Sequence, residues 1–169
     1  MAKLDVDKTM KWKNILVTGG NGLLGTELQK HLKARYLTRC QLDITDIKFR
    51  YDGDLIVHLA CYTNVDRAEV EKEECFDVNV VGTYNVLRHY RRPIVYLSTE
   101  HVYAEGVHYK SKLIGELLVK TLSNNYLIVR TLFKSNPYPW DYAFKDQMTR
   151  GDYVDVIAPM IADEIRNWK

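Results

Sequence analysis

The chain has 169 residues, of which 46% are hydrophobic and 27% are charged, and its formal net charge is +2. This length allows one domain with a single core, and the composition is typical of a soluble globular protein. Because opposite charges are interspersed and no apolar run approaches the roughly 20 residues of a membrane span, we expect neither nucleic-acid binding nor membrane insertion.

The N-terminal residues and the cysteines indicate the compartment. Residues 1–13 lack the apolar core of a signal peptide, so we expect a polar extension followed by a single domain at 14–169. Cys40, Cys61 and Cys75 include no pair at zinc-ligand spacing. The sequence therefore predicts free thiols, no metal site and a cytoplasmic location.

Apolar runs of strand length alternate with helical patterns along the chain, and these runs are typical of parallel strands covered on both faces. We expect strands at 14–20, 34–40, 54–60, 93–98 and 126–132, of which the second is brief. We expect helices at 22–34, about 66–73, 75–90, 109–123, about 140–150 and 158–168. This alternation predicts an α/β fold with a doubly wound, mostly parallel sheet of the Rossmann type and helices on both faces.

The connections of this fold are trimmed. Only residues 43–53 are available for the crossover between the second and third strands, which is barely more than one helical turn. After the last strand, residues 134–169 include "DYVDVIAPMIADEI", a pattern that predicts a closing strand and helix. We therefore expect a minimal C-terminal substrate region that forms a short lid from about residue 134.

The predicted helices 75–90 and 109–123 have apolar arcs wider than one stripe facing a sheet. A homodimer that packs these helices against their copies would cover the additional surface. The alternative is that the sheet and the neighbouring helices of the same chain use the whole face.

A glycine-rich segment, "VTGGNGLLG" (17–25), follows the first predicted strand and opens the first predicted helix. Its glycines satisfy both G-x-G-x-x-G and G-x-x-G-x-x-G, patterns in which bare backbone approaches a pyrophosphate at a helix N-terminus. The candidate cofactor-binding residues of this loop are Gly19, Gly20, Asn21, Gly22, Leu23, Leu24 and Gly25.

The end of the second predicted strand bears on the choice of dinucleotide. A carboxylate there favours NAD, whereas an arginine accommodates the 2′-phosphate of NADP. Arg39 lies where the strand ends, and Asp43 follows four residues later. Arg39 gives a slight preference for NADP over NAD, although a solvated surface arginine would give the same pattern.

Six segments, taken together and in order, carry a resemblance: "ILVTGGNGLLG", "LDITD", "DLIVHLACYTNVDRAE", "VNVVGTYNVL", "IVYLSTEHVY" and "YKSKLIGE". Over about residues 14–132 the chain resembles the extended short-chain dehydrogenase/reductases, in the branch of dTDP-4-dehydrorhamnose reductase and nucleotide-sugar epimerases. The resemblance implies a Rossmann sheet that binds NAD(P), with chemistry at a 4-keto or 4-hydroxy carbon of a nucleotide sugar.

The resemblance also implies roles for single residues. Thr99 would hydrogen-bond the substrate oxygen, and Asn79 would support the active site. Lys112 would hold the nicotinamide ribose and lower the pKa of the catalytic acid. Gly19, Gly22 and Gly25 would hold the pyrophosphate, and the remaining implied cofactor contacts are Asp43, Ala60, Cys61 and Thr63.

The position of the catalytic acid departs from the family pattern, in which a tyrosine precedes the lysine by four residues. Here Tyr109 precedes Lys112 by three residues, and His108 occupies the place four before it. Positions three and four apart both lie near one helix face, but a displacement of about 1 Å can cost on the order of 100-fold in rate. Three alternatives stay open: Tyr109 is the acid, His108 is the acid, or no competent acid is present.

These patterns favour an NAD(P)-dependent reductase or epimerase-like enzyme that acts on a sugar or nucleotide sugar, with Thr99, Tyr109 and Lys112 carrying the chemistry. The alternative is a non-catalytic Rossmann protein that serves as a scaffold or regulatory partner. A weaker third hypothesis is a module that senses the redox state of the cofactor.

Overall fold

The computed structural model describes residues 11–138 and 151–168. Its main sheet has five strands in the order β2-β1-β3-β4-β5, and every neighbouring pair is parallel. The strands are β1 (Ile15–Thr18), β2 (Arg35–Leu37), β3 (Leu55–His58), β4 (Ile94–Thr99) and β5 (Tyr126–Thr131). The predicted parallel α/β fold is confirmed.

Helices connect most of the strands and cover both faces of the sheet, whereas residues 38–54 between β2 and β3 contain no helix. They are α1 (Leu23–Leu28), α2 (Val65–Ala68), α3 (Lys72–Phe76), α4 (Thr83–Tyr90), α5 (Val107–Leu122) and α6 (Val154–Asn167). A π-helical segment (Asp77–Gly82) joins α3 to α4. Two short parallel strands, β6 (Phe133–Lys134) and β7 (Asp152–Tyr153), pair outside the main sheet.

Two hydrophobic clusters lie on opposite faces of the sheet, because successive strand residues point to opposite sides. Val17 and its neighbours pack with α1 and α6, in a cluster that includes Leu28 and Ile165. Leu16 and its neighbours pack with α4 and α5, in a cluster that includes Leu87 and Val119. The apolar residues on both faces of these strands are therefore packed against helices.

The length predicted for the first helix was wrong. We expected a helix at 22–34, but α1 ends at Leu28, and the chain then tightens into turns. The amides of Lys30 and His31 donate to carbonyls three residues earlier, at 3.1 and 3.0 Å, instead of continuing the helical pattern. Such tighter bonds are common where a helix ends.

Other helix boundaries also differ from the predictions. The helix expected at about 66–73 is interrupted, because Glu71 leaves the helical region with φ −94° and ψ 51°. The helix expected at 75–90 begins at Lys72 and contains the π-helical segment. The helix expected at 158–168 begins earlier, at Val154. The helix expected at about 140–150 lies outside the described residues.

The division into an extension and one domain with a lid stays a prediction. Trp12, which we placed in the extension, is buried, and its ring centroid lies 5.4 Å from that of Trp168. Helix α6 packs into the same cluster as α1. In the part of the chain that the structure describes, no helix has the length and hydropathy needed to span a bilayer.

Candidate functional site

A cleft of about 730 Å³ opens at the carboxyl ends of the parallel strands. The strand order places β2 and β3 on opposite sides of β1, and ligands bind at such switch points in open α/β sheets. The cleft brings together most of the predicted site residues: Gly19, Asn21, Gly22, Leu23, Leu24, Gly25, Arg39, Asp43, Ala60, Cys61, Thr63, Thr99, His108, Tyr109 and Lys112.

Two of the glycine-loop positions that line the cleft accept no side chain. Gly19 has φ +70°, and a Cβ there would lie 2.7 Å from the backbone nitrogen of Ala60. A Cβ at Gly25 would lie 2.5 Å from the carbonyl oxygen of Gly19. The amide of Gly22, the residue that caps α1, donates to this same carbonyl at 3.0 Å. Bare backbone therefore faces the cleft at the start of α1.

Two predicted residues, Gly20 and Asn79, do not line the cleft. Gly20 packs against β2: its amide donates to the Leu37 carbonyl at 2.9 Å, and a Cβ there would lie 2.7 Å from the Tyr36 Cβ. Gly20 thus holds the glycine loop against β2, on the side away from the cleft. Asn79 is buried in the π-helical segment.

Asn79 connects two walls of the cleft through its side chain. Its Oδ1 accepts a hydrogen bond from the Tyr62 amide at 2.8 Å, and its Nδ2 donates to the Ser111 Oγ at 2.8 Å. The Ser111 hydroxyl in turn donates to the His108 carbonyl at 2.6 Å. The segment after β3 and the first turns of α5 are therefore held together by one amide.

His58, at the end of β3, does not line the cleft, but it is a buried and hydrogen-bonded residue that the sequence analysis did not single out. Its Nδ1 lies 2.7 Å from the Thr18 Oγ1, and its Nε2 lies 3.1 Å from the Thr83 Oγ1. Because the Thr83 hydroxyl donates to the Asn79 carbonyl at 2.7 Å, its oxygen accepts the hydrogen bond from the His58 Nε2–H. Burial lowers the pKa of His58 to about 3, so the imidazole is neutral. The sequence signal that could have identified His58 is a histidine inside the apolar run "DLIVHLA".

Lys112 contributes a buried cation to the cleft. Its side chain is 5% exposed, and its Nζ lies 4.3 Å from the centroid of the Tyr96 ring. Burial disfavours the ammonium, but the neighbouring Cys61 and Tyr96 favour it, and the pKa of Lys112 lies above its usual value. Helix α5 approaches β4 closely because Gly115 faces Tyr96, where a Cβ would collide with the phenol oxygen.

His108 and Tyr109 occupy the first turn of α5, and both line the cleft. Burial, followed by the charge of Lys112, lowers the pKa of His108 to about 4. The rings of His108 and Tyr109 meet edge to face at 5.5 Å, and that of His101 lies 6.0 Å from Tyr109. Near neutral pH, His108 is therefore an uncharged imidazole beside a half-buried phenol.

Thr99 ends β4, and the loop that follows it is held by long-range contacts. The His101 amide donates to the Thr99 Oγ1 at 3.2 Å. Arg130 donates to the Tyr103 hydroxyl at 3.1 Å, and its Nε and Nη2 donate to the two oxygens of the fully buried Glu116 at 2.8 and 2.7 Å. The loop before α5 is thus fastened to β5 and α5.

Arg39 and Asp43 lie together beyond β2. Asp43 accepts hydrogen bonds from the Thr45 hydroxyl at 2.7 Å and from the Thr45 amide at 2.9 Å, and these bonds lower its pKa. The Arg39 Nε lies 3.5 Å from the second carboxylate oxygen, and its side chain is 71% exposed. The Asp43 carboxylate is therefore already hydrogen-bonded to Thr45, whereas the Arg39 guanidinium extends into solvent at the edge of the cleft.

Further cleft residues were not predicted. Lys134 and Ser135 line the cleft from the end of β6, where the only sequence signal was a basic residue just after the last long strand. Within residues 11–138 and 151–168, no group of three or more histidine, cysteine, aspartate or glutamate side chains could hold a metal ion.

Comparison with known proteins identifies related sequences. The family model described as the RmlD substrate binding domain matches residues 13–109. A dTDP-4-dehydrorhamnose reductase of Aggregatibacter actinomycetemcomitans is 32% identical over 89% of this chain and 61% of the relative. The spore coat polysaccharide biosynthesis protein SpsK of Bacillus subtilis is 30% identical over 69% of this chain and 52% of the relative. This chain thus spans about half to three fifths of the length of these curated relatives.

Solved structures give the same picture. The crystal structure of dTDP-4-dehydrorhamnose reductase from Bacillus anthracis in complex with NADP is 26% identical, with a TM-score of 0.72, and the match covers 92% of this chain and 71% of that one. The UDP-N-acetylglucosamine 4-epimerase from Methanobrevibacter ruminantium shares the fold at 17% identity, with a TM-score of 0.74 over 92% of this chain and 74% of that one.

Proposed function

Since this chain belongs to the family described as the RmlD substrate binding domain, we propose that it is an NAD(P)-dependent reductase or epimerase-like enzyme that acts on a nucleotide sugar, by reduction of a 4-keto group. The observation that carries the proposal is the single cleft in which the glycine loop, Thr99, Tyr109 and Lys112 meet. This arrangement places a surface that suits a dinucleotide next to side chains that can hydrogen-bond a carbonyl oxygen and donate a proton.

The residues of the cleft fit a nicotinamide dinucleotide. Gly19 and Gly25 leave bare backbone where any Cβ would collide with neighbouring backbone atoms. Such a loop at a helix N-terminus suits a pyrophosphate. In the proposal the loop holds the pyrophosphate, and Lys112 holds the nicotinamide ribose. The remaining contacts come from Ala60, Cys61 and Thr63. When bound, the reduced nicotinamide would supply a hydride to the substrate.

NADP is the preferred dinucleotide in this proposal. The Asp43 carboxylate is already bonded by Thr45, so less of it remains for the hydroxyls of a ribose. Arg39 presents an exposed guanidinium at the same edge, and an arginine is suited to a 2′-phosphate. A related structure from Bacillus anthracis holds NADP.

The proposed chemistry divides among three side chains. Thr99 orients the substrate oxygen through its hydroxyl at the end of β4. Tyr109 donates the proton from its Oη as negative charge develops on that oxygen, and the Lys112 ammonium favours the phenolate that results. His108 is the weaker candidate for the acid, because a pKa of about 4 leaves its imidazole unprotonated at neutral pH.

A second candidate function is a non-catalytic Rossmann protein that binds NAD(P) for assembly or regulation. The observation that favours it is His108 itself, a neutral imidazole at the position four residues before Lys112. In this alternative the cleft binds the cofactor, but no group delivers a proton to a substrate.

The test is a calorimetric titration of the purified protein with NADPH and, separately, with NADH, followed by a turnover assay with 4-keto nucleotide sugars. We expect micromolar binding and measurable oxidation of the cofactor. Binding without turnover on any nucleotide sugar would favour the non-catalytic alternative. Absence of binding at millimolar cofactor would refute both.

The predicted homodimer and cytoplasmic location remain part of the proposal. Leu117 and Leu122 of α5 are exposed, as are Val81 and Tyr84 just before and within α4. These residues support an interface through the two helices, and sedimentation equilibrium would measure the stoichiometry. The cysteines Cys40, Cys61 and Cys75 are free, as expected in a reducing compartment.

A further inference from the structure

The start of α5 decides where Tyr109 and His108 lie, because both belong to its first turn. The residue that caps this helix is Gly106, which has no side chain to bond the free amides of the first turn. The first N–H groups of a helix have no partner within the helix and require one from elsewhere. The position of the acid therefore depends on what holds this turn.

Glu69 supplies that partner from a distant part of the chain. Its Oε1 accepts a hydrogen bond from the amide of Val107, the first residue of α5, at 2.7 Å. Glu69 is the residue that caps the C-terminal end of α2, 38 positions earlier in the sequence. A carboxylate at the N-terminus of a 16-residue helix both accepts from a free amide and complements the helix dipole.

Gly106 places this carboxylate and the phenol ring next to each other. Its φ is +126°, a conformation that favours glycine. A Cβ at Gly106 would lie 3.1 Å from the Glu69 Oε1 and 3.4 Å from the Cδ2 of Tyr109. The backbone at Gly106 thus lies between the carboxylate and the ring.

We propose that Glu69 is a positioning residue, which fixes the first turn of α5 so that the Tyr109 phenol reaches the substrate oxygen. This inference rests on the proposed reductase function. Glu69 is not among the residues that line the cleft, so it acts through the backbone of α5 and not by contact with the cofactor or substrate.

The kinetic test compares Glu69→Ala and Glu69→Gln with the control Glu105→Ala. Glu105 lies in the loop before α5, next to Gly106, but its side chain is 96% exposed and pairs with Lys110. We expect kcat to fall at least about tenfold in Glu69→Ala, because a displacement of about 1 Å is costly. Glu69→Gln keeps an acceptor oxygen and should recover most of this loss. The control should keep the kcat of the wild type.

Two further readouts separate positioning from a general loss of structure. The dissociation constant for NADPH and the melting temperature should change little in Glu69→Ala, while kcat falls. A loss of cofactor binding together with a loss of stability would overturn the proposal. An unchanged kcat in Glu69→Ala, with an active wild type, would overturn it equally.

Hydrogen exchange tests the same contact without any turnover. The Val107 amide should be protected in the wild type and in Glu105→Ala, and it should exchange faster in Glu69→Ala. Equal protection in all three proteins would refute the role of Glu69. A wild type that shows the exchange difference but reduces no nucleotide sugar would instead refute the proposed function and leave the structural contact established.

Discussion

The two ends of the cleft are built in different ways. At the end that we propose for the cofactor (the cofactor end), Gly22 and Gly25 pack against atoms of Gly19 and Gly20 in the same short loop, and Gly19 also packs against the distant Ala60. At the end that we propose for the substrate (the substrate end), Glu69 reaches the first turn of α5 across 38 positions, and Arg130 reaches Tyr103 across 27. The first end depends mainly on contacts within one loop, whereas the second depends on side chains from distant parts of the chain.

This difference has a chemical consequence. A pyrophosphate is recognised by backbone amides and a helix N-terminus, which a local turn can supply. A proton donor must lie within hydrogen-bond reach of one substrate atom, so its position must be fixed more closely. The distant contacts around the loop before α5 provide that constraint. We therefore expect substitutions at the substrate end to affect turnover and those at the cofactor end to affect cofactor affinity.

Lys112 lies where the two ends meet, and its removal should have the largest effect. Lys112→Ala takes away the buried cation of the cleft, to which the proposal gives the nicotinamide ribose and a part in proton transfer, and we expect kcat to fall on the order of 1000-fold. Steady-state kinetics with a 4-keto nucleotide sugar would measure the loss. Lys110→Ala is the matched control, because Lys110 is on the same helix but its side chain is 60% exposed. Equal activity in Lys112→Ala and the wild type would exclude Lys112 from the chemistry.

The next effect distinguishes the two candidate acids. We expect Tyr109→Phe to lower kcat about 100-fold, because it removes the phenol proton and keeps the ring. His108→Gln should lower kcat far less, because a histidine with a pKa of about 4 carries no ionisable proton near neutrality. The assays should be run at pH 7 on both variants. The reverse order of effects would identify His108 as the acid.

The cofactor end could be predicted from sequence more fully than the substrate end. Glycine spacing and strand-length runs are local signals, so the loop and the sheet followed from them, whereas Thr99, Lys112 and the further cofactor contacts were implied by the family resemblance. The contact of Glu69 with Val107 and the buried pairing of Glu116 with Arg130 left no such signal, because they join residues that are far apart in the chain. The helix boundaries around residues 29–34 and Glu71 were missed because hydrophobic periodicity does not show where turns tighten.

Stability should depend on pH through the two buried histidines near the cleft. In the unfolded chain both would bind protons near pH 6.5, whereas in the fold their pKa values are about 3 for His58 and about 4 for His108. The unfolded state therefore binds more protons between these values, and the free energy of unfolding falls as the pH is lowered below about 6.5. We expect a loss on the order of 6 kcal/mol between pH 7 and pH 4, with about 3 kcal/mol from each histidine.

Urea unfolding at several pH values would measure this dependence. His108→Gln removes one of the two groups and should reduce the slope of stability against pH below about pH 6.5. A flat stability profile in the wild type would mean that neither imidazole is held neutral, and the proton on His108 would again be available for catalysis.

The smallest expected effect is that of Arg39, at the solvent-exposed edge of the cofactor end. Arg39→Ala should weaken NADPH binding about tenfold, because one charge-assisted contact with a phosphate is lost, and it should leave NADH binding unchanged. Calorimetry on the variant and on Arg92→Ala, an exposed arginine that does not line the cleft, would measure both constants. If Arg39→Ala weakened both dinucleotides equally, the guanidinium would contact the part that they share. If Arg39→Ala weakened the binding of neither dinucleotide, Asp43 and Thr45 would determine the preference between NADPH and NADH. The glycine loop alone would then account for cofactor affinity.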